Sequence, residues 1–254
     1  MKAFILLLTL LLFIGTVKPD NVVSRFKTPV GFQRVTALPG SFGAWLQGLP
    51  LKPVGTPART YKGEIARTDL YTAAIVDMSI GTQDLQQCAD AVMRLRGEYL
   101  YQQKNYKAIT FNFTSGFKCD FVHYANGYRY TNEHWVLKAK KDYSYPNFLR
   151  YMNLVFSYAG TLSLQKELKK VSDPDQLKTG DVFIRGGSPG HCFIVLDVAE
   201  DARHHKKFLL AQSFMPAQNV QVLQDNGDPW FGLDKKSTIL YGELISKAYL
   251  KRFD

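Results

Sequence analysis

Three apolar runs in the C-terminal half constrain the fold most: residues 180–184, 190–197 and 208–213. Each is short and rich in Val, Ile, Leu and Phe. Gly, Pro or charged residues bound each run, a pattern that predicts buried strands rather than helices. The middle run opens on His191, directly after Pro189 and Gly190, and the third ends in Gln212 and Ser213. Adjacent strands would let the Gln212 amide oxygen accept a hydrogen bond from the His191 imidazole. Strand alternation turns Cys192 to the face opposite His191, so these chain neighbours cannot act as a pair.

Upstream, the patterning changes to helical. Thr82 as N-cap and Asp84 in the first turn predict a helix start. Leu85, Cys88, Ala89, Val92, Leu95 and Tyr99 then recur on one face at helical spacing. On that helix, Asp90 and Arg94 have the spacing of an ion pair, within a lattice that includes Arg96 and Glu98. Residues 41–46 read as a short helix, 70–80 as a buried strand, 109–113 as a strand, and 146 to about 160 as a helix with Pro146 in its first turn. Residues 162–171 read as a further helix, and 198–207 as a surface loop between strands. Residues 20–68 are rich in Pro and Gly and read as an extended, wrapping segment. Early helices followed by antiparallel-looking strands predict one α+β domain over residues 20–254.

The N-terminus reads as a secretory signal over residues 1–19. Lys2 supplies a positive start and residues 3–17 an apolar run, too short for the roughly 20 residues of a membrane span. No clean small-residue cleavage site follows, which leaves an uncleaved anchor as the alternative. Both readings place the protein outside the cytoplasm, in a periplasmic or extracellular location, with no other membrane span. The net charge of +10 would draw an exported protein to anionic envelope polymers; no nucleic-acid motif is present. The three cysteines, Cys88, Cys119 and Cys192, allow one disulfide at most. No Cys/His spacing matches a metal site, and no cofactor is implied.

A thiol hydrolase needs a nucleophile, an imidazole to carry the proton and a polar group to orient that imidazole. His191 and Gln212 suit the last two roles. The run 209–214 resembles the papain superfamily segment in which Asn-Ser-Trp follows the catalytic histidine, with Gln212 in place of Asn and Phe214 in place of Trp. The same strands are similar to the peptidoglycan-cutting NlpC/P60 and CHAP branch. Across most of its length the chain also resembles an exported bacterial family known as domain of unknown function 4846. That match is carried by residues 87–96, 189–191 and 210–218.

The papain-like resemblance implies an antiparallel sheet packed on a Cys-bearing helix, with the two helices between Cys88 and His191 as an insertion. It implies Cys88 as nucleophile, His191 as general base and acid, and Gln212 as its orienter. Gln87 and Ser213 would serve as oxyanion donor or support, and Pro189 and Gly190 would border the substrate. The implied reaction is hydrolysis at an amide bond, with cell-wall peptide as substrate class. Two features depart from that pattern: Cys88 falls two turns into the predicted helix, and it lies on the apolar stripe, where a cysteine is by default a small core residue. A non-catalytic envelope-binding protein on the same scaffold is the alternative reading. Cys119, in an aromatic turn region, reads as structural. Trp45, Trp135, Trp230 and the Tyr-rich stretch 124–151 read as packing before they read as a groove, and His204 and His205 as solvated loop residues.

Overall fold

The structure is a computed structural model that describes residues 20–233 and 235–254. The expected signal segment lies outside the described residues. In chain order the elements begin with α1 (Val22–Arg25), β1 (Gln33–Arg34), α2 (Phe42–Gln47), β2 (Thr72–Ile75) and α3 (Cys88–Gln102). Next come β3 (Thr110–Asn112), β4 (Lys118–Asp120), α4 (Phe121–Ala125), β5 (Tyr128–Thr131), β6 (His134–Leu137), α5 (Tyr145–Tyr158) and α6 (Thr161–Glu167). The chain closes with β7 (Lys169–Lys170), β8 (Val182–Arg185), β9 (His191–Glu200), β10 (Lys206–Gln212), β11 (Gln221–Leu223) and β12 (Leu250–Arg252).

The fold is α+β around one antiparallel sheet of order β2-β11-β10-β9-β8-β12-β7, with β1 added along the far end of β9. The three apolar runs form its centre, β8-β9-β10. Because β9 is covered on both faces, nine of its ten residues are buried, which explains its almost unbroken apolar sequence. Cys192, Ile194 and Leu196 join the core under α3, whereas Phe193, Val195 and Val198 join a second core on the opposite face with Phe183, Phe208 and Leu210. Alternation along β9 therefore separates two cores.

Helix α3 is buried nearly all round, between the sheet and α5. Val92, Met93 and Leu95 are fully covered, and burying each contributes roughly 1.5–3 kcal/mol. Gly97 permits the close crossing. A Cβ there would lie 3.1 Å from Met152 Sδ and 3.3 Å from the Phe148 ring. The N-terminal segment is tied to the sheet by side-chain hydrogen bonds. Arg34 and Gln47 both reach the fully buried Asp197 of β9, each at 2.7 Å, and Trp230 Nε1 donates to Lys27 O at 3.0 Å. Cutting one partner from a buried charge of this kind costs roughly 3–5 kcal/mol.

The structure corrects several sequence expectations. Helix α3 starts at Cys88, not after Thr82, because the Asp84 carboxylate is engaged elsewhere. It accepts from Ala217 N at 2.6 Å and from Gln87 Nε2 at 3.1 Å, which holds the preceding residues in turns. Asp90 supplies the N-terminal acceptor instead, taking Gln87 N–H at 3.0 Å. Arg94 consequently pairs with Glu98 at 2.7 Å, and not with Asp90. The helix expected to reach residue 171 stops at Glu167, and β7 follows. The segment between α3 and α5 contains two β-hairpins beside its helix, and the expected loop 198–207 shortens to residues 201–205 because β9 runs to Glu200 and β10 starts at Lys206. All three cysteines are buried free thiols. Among the described residues no helix is long and apolar enough to cross a membrane.

Candidate functional site

The site lies where β9 begins, β10 ends and α3 starts. His191 opens β9 and is only 1% exposed. Its ring stacks on Tyr241 at 4.8 Å between centroids and touches Phe193 edge-on at 4.7 Å, with Phe214 at 5.3 Å. Its Nε2 lies 2.8 Å from Gln212 Oε1.

A buried chain of amides decides which way that bond runs. Gln221 Nε2 donates to a backbone carbonyl, Thr68 O, at 3.1 Å, and to Thr72 Oγ1 at 2.6 Å. Since a backbone oxygen can only accept, the Gln221 amide is fixed with its own oxygen turned back toward β10. That oxygen takes Gln212 Nε2 at 3.3 Å and Gln218 Nε2 at 2.8 Å. The Gln212 oxygen is thereby left for His191, so Nε2 carries the proton and donates. Nδ1 has no hydrogen-bond partner among the described residues, and it is the basic nitrogen. Burial lowers the His191 pKa to about 4, against the smaller opposing effect of the Gln212 bond.

Cys88 is the first residue of α3 and Gln87 its N-cap, the position where a helix dipole favours a thiolate. One sequence-level objection to Cys88 therefore disappears. The thiol borders a cavity of about 270 Å³ whose other walls include Pro189, Gly190, Thr161 and Met215. Burial nonetheless prevails over the dipole: the Cys88 pKa rises to about 11, with the neighbouring Asp90 charge pushing the same way. Burial also lifts the Asp90 carboxyl to about 7, and its Oδ1 is sealed without a partner.

The structure thus joins His191 to Gln212 and places Cys88 on the cavity edged by Pro189 and Gly190. Cys88 and His191 share no hydrogen bond, and their side chains belong to opposite faces of the sheet. The cysteine packs with Cys192 and α3, whereas the histidine lies against Phe193, Phe214 and Tyr241. Gly190, directly before His191 and on the wall of the Cys88 cavity, is closely packed. A Cβ there would meet Gly187 O at 2.5 Å and Arg185 O at 2.9 Å, and would overlap Thr161 Oγ1.

Ser213 is fully buried at the end of β10. Its hydroxyl lies 3.1 Å from Gln86 O and 2.8 Å from Gln218 O, tying the end of β10 to the residues that lead into α3. The Gln87 amide nitrogen is bound to Asp84. Sequence reasoning missed Thr68, Gln218 and Gln221. Gln221 had one available signal, a polar residue beside the apolar Val220, Val222 and Leu223, but its partners come from a distant loop.

The remaining candidates fall outside the site. Cys119 is fully buried in β4, and His204 and His205 pair with Glu200 and Asp201 at the exposed β9–β10 turn. The aromatics of α3, α5 and the segment between them pack on one another, Tyr101 on Phe148 at 4.6 Å for example. Among the described residues no cluster of three or more His, Cys, Asp or Glu is placed to hold a metal. Residues 22–248 match the family described as Domain of unknown function (4846). No curated protein and no solved structure matches the chain.

Proposed function

The chain belongs to the domain of unknown function 4846 family, and we propose from the site itself that it is an exported papain-like cysteine hydrolase acting on an amide bond. One observation carries the reading: a cysteine begins the helix packed on β9, and its cavity is edged by the glycine preceding a histidine whose tautomer is fixed by an amide. A helix packed on an antiparallel sheet supports the papain-like reading.

In the proposed reaction Cys88 Sγ attacks the amide carbonyl carbon while His191 Nδ1 takes the thiol proton. The tetrahedral oxyanion collapses, the C–N bond breaks and the imidazolium returns its proton to the leaving amine. Water, deprotonated by the same Nδ1, then cleaves the thioester and restores the thiol. With the thiol at about 11 and the imidazole at about 4, the resting pair is neutral, so proton transfer accompanies attack. His191 starts on the face of the sheet opposite Cys88, so this reaction requires substrate binding to move its ring out from between Phe193, Phe214 and Tyr241 and toward the thiol. The apolar stretch 3–17 and the net charge of +10 support an envelope location, with peptidoglycan or another anionic envelope polymer as partner.

A second reading is a non-catalytic envelope-binding protein on the same scaffold. The raised Cys88 thiol and the covered His191 ring favour it. The discriminating experiment incubates the purified protein and Cys88→Ala with bacterial cell walls and a peptide-amide library, and follows new amines by mass spectrometry. Turnover by the wild type and none by the variant is the expected result. Binding to cell walls without turnover would replace the hydrolase by the binding protein.

A further inference from the structure

A cavity of about 630 Å³ lies away from the Cys88 cavity, between α3, α5 and the loop after β2. Its walls include Trp45, Asp77, Arg94, Glu98, Tyr145 and Leu149. Arg94 and Glu98 are a buried pair, with side chains 7% and 5% exposed. Charged groups this deep are retained at a desolvation cost that apolar packing would avoid, and here they border open space.

The hydrogen bonds decide which charge this space suits. Arg94 spends its donors on protein: Nε on Glu98 Oε1 at 2.7 Å, Nη1 on Gln86 Oε1 at 3.0 Å, and Nη2 toward Tyr145 OH at 3.3 Å. Little of the guanidinium remains for an anion. Glu98 is less saturated. Its Oε1 takes both Arg94 and the Tyr145 hydroxyl, the latter at 2.7 Å, and its Oε2 has no partner among the described residues, yet is not sealed by them. Asp77, which is exposed, adds a second carboxylate with no ion-pair partner among the described residues. Two acids against one arginine leave the lining one net negative charge, in a chain of net +10. Trp45 is held by its Nε1, which donates to Gln102 Oε1 at 2.7 Å. Its ring and Leu149 supply apolar wall for the body of a ligand.

We infer that this cavity is a binding site for a small primary amine with an apolar chain, its ammonium held by Glu98 Oε2 and Asp77 and its chain lying along Trp45 and Leu149. The inference does not depend on the hydrolase reading.

Isothermal titration of the full chain with n-hexylamine tests it, with hexanoate and 1-hexanol as probes of equal length. Saturable binding of the amine alone is expected. Asp77→Asn, at an exposed position, should weaken it by about threefold, and Glu98→Gln by at least ~tenfold. Leu149→Trp, which fills the cavity, should block it. Because Glu98→Gln disturbs a buried pair and can unfold the chain, the Asp77 and Leu149 variants, checked by circular dichroism, decide the matter. No saturable hexylamine binding, equal binding of hexanoate, or amine binding unchanged in folded Asp77→Asn and Leu149→Trp would each overturn the assignment.

Discussion

The Gln212 side chain accepts from His191 Nε2 at 2.8 Å and passes its own N–H to Gln221 at 3.3 Å. One buried glutamine thus carries an orientation fixed at Thr68 O to an imidazole on another strand. Gln212→Leu removes that constraint and leaves a buried N–H unpaired, a loss of roughly 1–3 kcal/mol. Urea unfolding should show it. Nitrogen-15 chemical shifts of His191 should change from a single Nε2–H tautomer to a mixture. A tautomer unchanged by Gln212→Leu would remove Gln212 from the orienting role.

His191 has a folded pKa near 4 against 6.5 for the free side chain. Between these values the unfolded chain binds the extra proton, so the histidine's contribution is complete above pH 6.5 and is lost as pH falls toward 4. The full loss is about 3 kcal/mol. His191→Phe should flatten this part of the stability–pH curve. An unchanged acid limb would contradict the burial of a neutral imidazole.

Asp90 runs the other way. Its carboxyl, at 3.8 in model compounds, is raised to about 7 in the fold. Its protonated form is favoured by folding, so its contribution is complete below pH 3.8 and lost as pH rises through 7. Asp90→Asn keeps an acceptor for Gln87 N–H and removes the buried charge, and should stabilise the protein at pH 8 by a few kcal/mol. Its thermal midpoint should rise at pH 8 and barely move at pH 4. Equal shifts at both pH values would contradict the account.

Gly190 has no room for a side chain, since a Cβ would press on Gly187 O at 2.5 Å. Gly190→Ala should cost about 1–3 kcal/mol as an overpacking change and displace the start of β9. A crystal structure of the variant with His191 and Gln212 still in contact at 2.8 Å would show that the close packing at Gly190 is not needed for their register.

The sheet centre was legible because β8, β9 and β10 are buried on both faces and leave unmistakable apolar runs. The His191–Gln212 pair followed from it, as did the opposite facing of Cys192. The start of α3 was not legible. Asp84 looks like a first-turn residue until Ala217, 133 positions away, is seen to take its carboxylate. A local contact misassigned Arg94: its partner is Glu98 because Asp90 caps the helix start, three residues from Gln87. Strand β3 was legible in the run 109–113, whereas β4, β5 and β6 were hidden, because Phe113, Phe117, Tyr130 and Trp135 pack on one another and blur the period-two alternation expected of a half-buried strand. The amide chain through Gln221 joins three segments distant in sequence, which no periodicity reports.

The most direct test of the central claim, that Cys88 is a nucleophile served by His191, is the rate of Cys88 alkylation by iodoacetamide in the native protein. Mass spectrometry would resolve it residue by residue, with His191→Gln alongside. The account predicts labelling of Cys88 ahead of the fully buried Cys119 and Cys192. It predicts a rate at pH 7 at least ~tenfold higher in the wild type than in His191→Gln, as expected for general-base assistance. Equal rates in the two proteins, or a Cys88 no faster than Cys119, would contradict it.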